Sequence, residues 1–235
     1  TLDLERLEGL AMYFKRTDDG RTFSTCHHVL TDASKLPHPP ASWARRLELP
    51  DDGAVEIGLG SPFKFYDADY TSVFVGGNGY LTFGAPSSDR SGTVDKLFER
   101  TGISVLSFDL APHFPGAKVW YEVKDKDGPT VIFTWEDVPA FSNPIHLNTF
   151  QVSLHLLTFE VMLAWTAISI PSGQVGVVGL SPGVFGAQVS PIDPAANVCQ
   201  QAWGKSPGYW HDNGCGNGDR ELLEECDDGN NVNGD

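Results

Sequence analysis

Basic residues are scarce in this chain of 235 residues. Its 16 lysines and arginines stand against 31 aspartates and glutamates, which gives a formal net charge of −15. This charge repels the phosphate backbone of nucleic acids and the anionic surface of membranes, so we expect neither as a partner. It also serves the solubility of an exported protein, which is the simpler explanation for the same excess.

Long apolar runs are missing as well. No run approaches the roughly 20 residues that span a bilayer, so we expect no membrane insertion in this segment. The chain begins with Thr1 instead of Met, and no basic and apolar leader precedes it. These features predict a mature or trimmed product.

The spacings that mark common catalytic sites are also absent. The histidines form no His-x-His or His-Glu-x-x-His pattern, and His27 and His28 would point to opposite faces of a strand. The stretch Gly179 to Gly183 fits G-x-S-x-G, but Pro182 lacks the N–H that an oxyanion hole needs after the serine. We therefore expect no catalytic residues. His155, on the polar face of a predicted strand, is a weak candidate for ligand contact.

Cysteine is used four times, and the even count predicts disulfides formed in an oxidising compartment. Zinc is the weaker alternative, because the sequence has no Cys-x-x-Cys pair. The preferred pairing joins Cys26 to Cys199 across the main domain and Cys215 to Cys226 within the tail. Spacing alone leaves all three arrangements open.

Alternating apolar and polar residues dominate the middle of the chain. The stretch from Ser61 to Gly84 contains three apolar strands, and its Asn78-Gly79 pair predicts a hairpin turn with both residues at positive φ. A later strand places Phe150, Val152 and Leu154 inward and Gln151, Ser153 and His155 outward. Regular strand spacing predicts an all-β fold, an antiparallel jelly-roll-like β-sandwich.

Other stretches complete this prediction. Helical spacing appears between Thr93 and Arg100, which predicts one short helix. The proline-rich stretch from Thr31 to Pro50 predicts a surface loop. Asp109 ends an apolar strand, so we expect a partly buried carboxylate bonded to backbone donors, with calcium as the second interpretation. The sandwich is predicted over residues 1–198, and a small disulfide-stabilised tail over residues 199–235.

The tail has two candidate sites. Hard oxygen donors cluster near its end and suit calcium, although the spacing is not that of an EF-hand and such residues also build turns. Aromatic residues in a Gly/Pro-rich stretch form either an exposed platform for a sugar or a protein or a cover between sandwich and tail. The calcium candidates are Asp227, Asp228, Asn230, Asn233 and Asp235, and the aromatic ones are Trp203, Tyr209 and Trp210.

A series of motifs resembles nidogen-like domains over Leu47 to Gly183. The resemblance implies an extracellular β-sandwich that binds partners and performs no chemistry. The order and spacing of these motifs together are more specific than any one of them alone. The motifs are Pro62 to Tyr66, Tyr70 to Val75, Asn78 to Phe83, Ser107 to Pro112, Phe133 to Pro139, Asn148 to Val152 and Gly179 to Ser181.

The tail resembles a second family, the myxococcal cysteine-rich repeat. The matching residues are Cys215 to Gly218, Glu224 to Asn230 and Asn233 to Asp235. Because that repeat normally continues with more cysteines, the resemblance implies a longer parent protein.

These observations predict an extracellular, non-catalytic adhesion or recognition module whose partner is a protein or a glycan at the cell surface. The alternative is an accessory domain, for example a carbohydrate-binding one, of a larger secreted enzyme. Neither interpretation requires a cofactor other than calcium.

Overall fold

The fold is a sandwich of two antiparallel β-sheets, which confirms the predicted all-β class. The computed structural model describes residues 4–17, 22–90, 92–125, 128–184 and Cys199, all in the first of two units, residues 1–201. After a 3₁₀ turn at Leu4–Leu7, the elements are β1 Leu10–Arg16, β2 Phe23–Val29, β3 Arg45–Leu47, β4 Ala54–Phe65, β5 Ala68–Gly76, β6 Tyr80–Thr82, α1 Val94–Phe98, β7 Thr101–Ser107, β8 Lys118–Lys124, β9 Thr130–Ala140, β10 Asn143–His155, β11 Val161–Ala167 and β12 Val177–Pro182.

The two sheets enclose a single aromatic and aliphatic core. The larger sheet has the order β2-β1-β11-β10-β9-β8-β3, and the smaller one β12-β7-β6-β5-β4. Trp135 stacks on Phe150 across β9 and β10 with ring centroids 5.1 Å apart. The indole N–H of Trp165 in the larger sheet donates to the carbonyl of Val105 in the smaller one at 2.8 Å. This bond satisfies a buried donor and joins the two layers.

Strand β4 is longer than the sequence predicts. The residues before and after Gly60 form one edge strand paired with β5, and the register shifts between Gly58 and Phe63. Gly60 takes a φ of 79°, which glycine adopts easily. An irregular register in one strand breaks the apolar alternation, so the sequence pattern looks like two strands with a link.

The Asn78-Gly79 turn also differs from the prediction. Gly76 pairs with Tyr80, so the turn is a three-residue loop, and Gly79 has a positive φ of 76° whereas Asn78 does not. A Cβ on Gly79 would lie 2.3 Å from the carbonyl oxygen of Leu106, so this position requires glycine for both conformation and space. Asn78 is fully buried, and its side chain has another role, described below.

The outer face of the larger sheet is covered. Gln151, Ser153 and His155 lie on the face opposite the core, as expected, but their exposed fractions are 0%, 6% and 6%. The Gln151 amide exchanges two hydrogen bonds with the backbone of His38, at 3.1 and 2.6 Å. The predicted surface loop therefore packs on this face, and it contains the short strand β3. His155 is not exposed, which contradicts its assignment as a residue open to a ligand.

The disulfide predicted for the main domain is present. Cys26 in the edge strand β2 is bonded to Cys199. The backbone N–H of Cys199 also donates to the carbonyl of His27 at 2.8 Å. The C-terminal end of the sandwich unit is thus fixed to the edge of the larger sheet.

We predict that His38 makes the fold less stable in acid. Burial and the charge of Lys124 lower the pKa of His38 from its usual 6.5 to about 4. Between these two values the unfolded chain binds a proton that the folded chain does not, so stability falls as pH drops from 6.5 toward 4. The expected loss is about 2 kcal/mol, less than the full shift would give because the ring keeps some exposure.

The measurement is urea unfolding of the wild type and His38→Gln at neutral pH and near pH 4. The wild type should lose about 2 kcal/mol more than the variant over this range. Glu160 and Asp109 have raised pKa values and oppose this trend, but both proteins contain them. Parallel pH dependences would show that His38 is not responsible.

Candidate functional site

Several loops converge on a cavity at one end of the sandwich. The cavity has a volume of about 320 Å³, and we call it the acidic pocket. It is lined by Arg90, Gly92, Thr93, Phe108, Asp109, Gln174 and Val175.

Asn78 organises the loops behind the acidic pocket. Its side-chain amide donates to Asp52 Oδ1 at 3.0 Å and to the carbonyl of Asp89 at 3.1 Å, and its Oδ1 accepts from the N–H of Leu110 at 2.8 Å. One buried side chain thus joins the turn before β4, the loop after β6 and the segment after β7. Each of these bonds satisfies a group that is poorly accessible to water.

Arg100 fixes the loop that forms one wall of the pocket. Its guanidinium lies 3.9 Å above the centroid of the Tyr80 ring, a cation–π contact. It also donates to the carboxylate of Asp89 and to the hydroxyl of Ser87, both at 3.3 Å. The loop is therefore held against the outer face of the smaller sheet.

Asp109 gives the pocket its electrostatic character. Desolvation raises the pKa of the Asp109 carboxyl, and the nearby carboxylates Asp52 and Asp51 raise it further, whereas Arg90 opposes them. The backbone donors predicted for this carboxylate are not found among the described residues. The pocket lining thus holds one carboxylate, Asp109, and one guanidinium, Arg90.

Two basic groups partly balance these charges. His113 Nδ1 lies 3.2 Å from Asp51 Oδ1, and Arg90 Nη1 lies 3.9 Å from Asp52 Oδ2. Within the part of the chain that the structure describes, no group of three or more His, Cys, Asp or Glu residues is arranged to hold a metal ion.

Next to the pocket, the hairpin formed by β9 and β10 exposes three apolar side chains. We call residues 140–147 the hairpin end. Phe141, Ile145 and Leu147 have exposed fractions of 45%, 78% and 44%. The N–H of Phe141 donates to the carbonyl of Asp109 at 2.9 Å, so the hairpin end and the pocket adjoin.

Asn148 holds the hairpin end in shape. The pairing of β9 with β10 shifts between Asn143 and Leu147, which leaves residues 144–146 as a bulge. The fully buried Asn148 side chain donates to the carbonyls of Val138 and His146 and accepts from the N–H of Ser169 at 3.3, 3.1 and 2.8 Å. These bonds join the C-terminal end of the bulge, at His146, to β9 and to Ser169, so the segment that carries Ile145 is held at that end.

The site residues predicted in the tail lie outside the described residues. This applies to Cys215, Cys226, the five calcium candidates and the aromatic group of Trp203, Tyr209 and Trp210, all of which stay predictions. Ser181, in the rejected G-x-S-x-G pattern, is fully buried, and its hydroxyl accepts from the N–H of Gly183 at 3.0 Å.

Sequence reasoning missed the residues that build this site. From the sequence, Asn78 is predicted only as a hairpin-turn residue, and Asn148 only as part of a motif of the nidogen-like resemblance. The sequence alone does not distinguish an asparagine that is buried and fully hydrogen-bonded from one that lies in an exposed turn. The one available signal is the position of Ile145 directly after Pro144, since proline is uncommon inside paired strands.

The fold and the disulfide define the class as an antiparallel β-sandwich module fixed by a covalent cross-link. Among the described residues, no helix has the length and hydropathy of a membrane span.

The family model described as NIDO related matches residues 33–198, most of the chain. The chain therefore belongs to the NIDO-related family, in agreement with the nidogen-like resemblance. No curated protein and no solved structure gave a match. The matched stretch ends before Cys215, so the cysteine-rich repeat stays a prediction.

Proposed function

We propose that this chain is an extracellular, non-catalytic recognition module that binds a protein partner through the hairpin end. Membership of the NIDO-related family supports an extracellular role. The Cys26–Cys199 disulfide supports it too, because disulfides persist in oxidising compartments.

The observation that carries the proposal is the exposure of Phe141, Ile145 and Leu147 on one hairpin end. Single exposed apolar residues are ordinary, but three within seven residues on a bonded support form an anchor that a partner can bury. Such an anchor loses little conformational entropy on binding, because the bulge is already fixed by Asn148.

The alternative, an accessory carbohydrate-binding domain, depends on Trp203, Tyr209 and Trp210, which the structure does not describe. A glycan array probed with the wild type and Trp210→Ala separates it from the proposal. Glycan binding that disappears in this variant would favour the alternative.

The direct test uses the labelled full chain and a panel of cells and extracellular-matrix proteins. Ile145→Ser should weaken binding at least about tenfold, because it removes the most exposed anchor at the hairpin end. Its melting temperature should stay close to that of the wild type, since the side chain is 78% exposed.

Val29→Ser is the matched control, because Val29 is 70% exposed and lies in the edge strand β2 of the larger sheet. It should leave binding unchanged. Equal binding by the wild type and both variants would contradict the proposed function.

A further inference from the structure

Carboxylates lie near the hairpin end in two places. On the pocket side, the backbone carbonyl of Asp109 accepts the N–H of Phe141. The charges of Asp52 and Asp51 act on the Asp109 carboxyl. In β9, the Asp137 carboxylate accepts from the Thr149 hydroxyl at 3.4 Å, across the β9–β10 pair. Acidic residues therefore lie both at the pocket and in the strand that leads to the hairpin end.

Positive charge near the hairpin end is limited. Arg90 lies 3.9 Å from Asp52, and its side chain is 72% exposed. The ring of His113 lies 6.5 Å from that of Phe141, and its Nδ1 faces Asp51. One arginine and two histidines, His113 and His146, thus stand against the carboxylates of Asp51, Asp52, Asp109 and Asp137 near this surface. Lys118 is paired with Glu136, the neighbour of Asp137, at 2.9 Å.

We infer that the hairpin end docks into a protein whose recognition face is an apolar groove rimmed by lysine or arginine residues. This inference rests on the proposed function and adds the chemistry of the partner. Ile145 and its neighbours fill the groove, and the rim cations face Asp109 and Asp137. Charge complementarity of this kind steers association and fixes the orientation of the partner.

The pocket strengthens this choice. Burial raises the pKa of the Asp109 carboxyl, and the charges of Asp52 and Asp51 raise it further. A rim cation placed in the cavity would lower this pKa again. The cavity of about 320 Å³ is lined by Asp109, whose backbone carbonyl accepts the N–H of Phe141, so a long lysine or arginine side chain from the partner has space to enter it.

Two other occupants fit the charges poorly. A second copy of this chain would bring the same carboxylates together across a twofold axis, and each copy has a formal net charge of −15. An anionic membrane would repel the same carboxylates. A basic protein surface is the occupant for which the apolar and the electrostatic features agree.

The test is selection of a random-peptide display library on the immobilised full chain. Enriched peptides should combine lysine or arginine with leucine, isoleucine or aromatic residues, and their affinity should fall as salt rises. Ile145→Ser should weaken their binding about tenfold, and Asp109→Asn about three- to tenfold.

Asp69→Asn is the charge control, because Asp69 lies in β5 and pairs with Lys64 at 3.7 Å. It should leave peptide affinity unchanged. If Ile145→Ser weakens binding but salt and Asp109→Asn do not, the basic partner is wrong and the recognition surface stands. If Ile145→Ser has no effect either, the proposed function fails with it. Dimerisation of the wild type, or retention on zwitterionic vesicles, that Ile145→Ser abolishes would also overturn the inference.

Discussion

Replacing both Cys26 and Cys199 with alanine will lower the free energy of unfolding by about 4 to 5 kcal/mol. The two residues are 173 positions apart, and a cross-link over so long a loop restricts the unfolded chain strongly. Its loss also releases the edge strand β2 from the backbone bond between Cys199 and His27. Equilibrium urea unfolding of the wild type and the double variant measures the difference.

The single variant Cys26→Ala is the control for this prediction. It also removes the cross-link, so its stability should match that of the double variant. The variants isolate this disulfide, whereas a reductant would act on every disulfide of the chain. A change below about 1 kcal/mol would show that the sandwich does not depend on this cross-link.

The inner faces of the sheets were predictable from the sequence. Phe150, Val152 and Leu154 alternate along β10, and all three are fully buried in the core. This pattern works because a strand turns every second side chain toward the same face. Helical spacing likewise predicted the short helix α1, which Thr93 caps by accepting the N–H of Lys96.

The covered outer face was not predictable in the same way. Alternation tells which face a residue lies on, but not whether another segment covers that face. The cover depends on the contact between His38 and Gln151, which are 113 positions apart. No local pattern around either residue contains that information, and polar residues on a covered face look like exposed ones.

The candidate site could not be predicted from local sequence patterns either. The cavity forms only where loops from different strands meet. Burial there raises the pKa of the Asp109 carboxyl, and so do Asp52 and Asp51, more than fifty positions earlier in the chain. The sequence indicated an acid at the end of a strand. The charges that surround it, and the apolar hairpin end beside it, come from the order of strands in the two sheets.

Asn78→Ala will lower the free energy of unfolding by about 3 to 4 kcal/mol. The substitution removes three side-chain hydrogen bonds and leaves the N–H of Leu110 without its acceptor. A buried polar group left without a partner lowers the free energy of unfolding by more than an average hydrogen bond adds to it. Urea unfolding gives the magnitude, and amide exchange should show faster exchange at Leu110 than in the wild type.

Asn148→Ala is the matched control, because Asn148 is also fully buried and also makes three side-chain hydrogen bonds. It should destabilise the fold by a similar amount, but it should loosen the hairpin end and leave exchange at Leu110 unchanged. The two variants thereby separate the supports of the acidic pocket and of the exposed anchor. If Asn78→Ala changes stability by less than about 0.5 kcal/mol, as a substitution at an exposed turn would, then Asn78 does not hold these loops together.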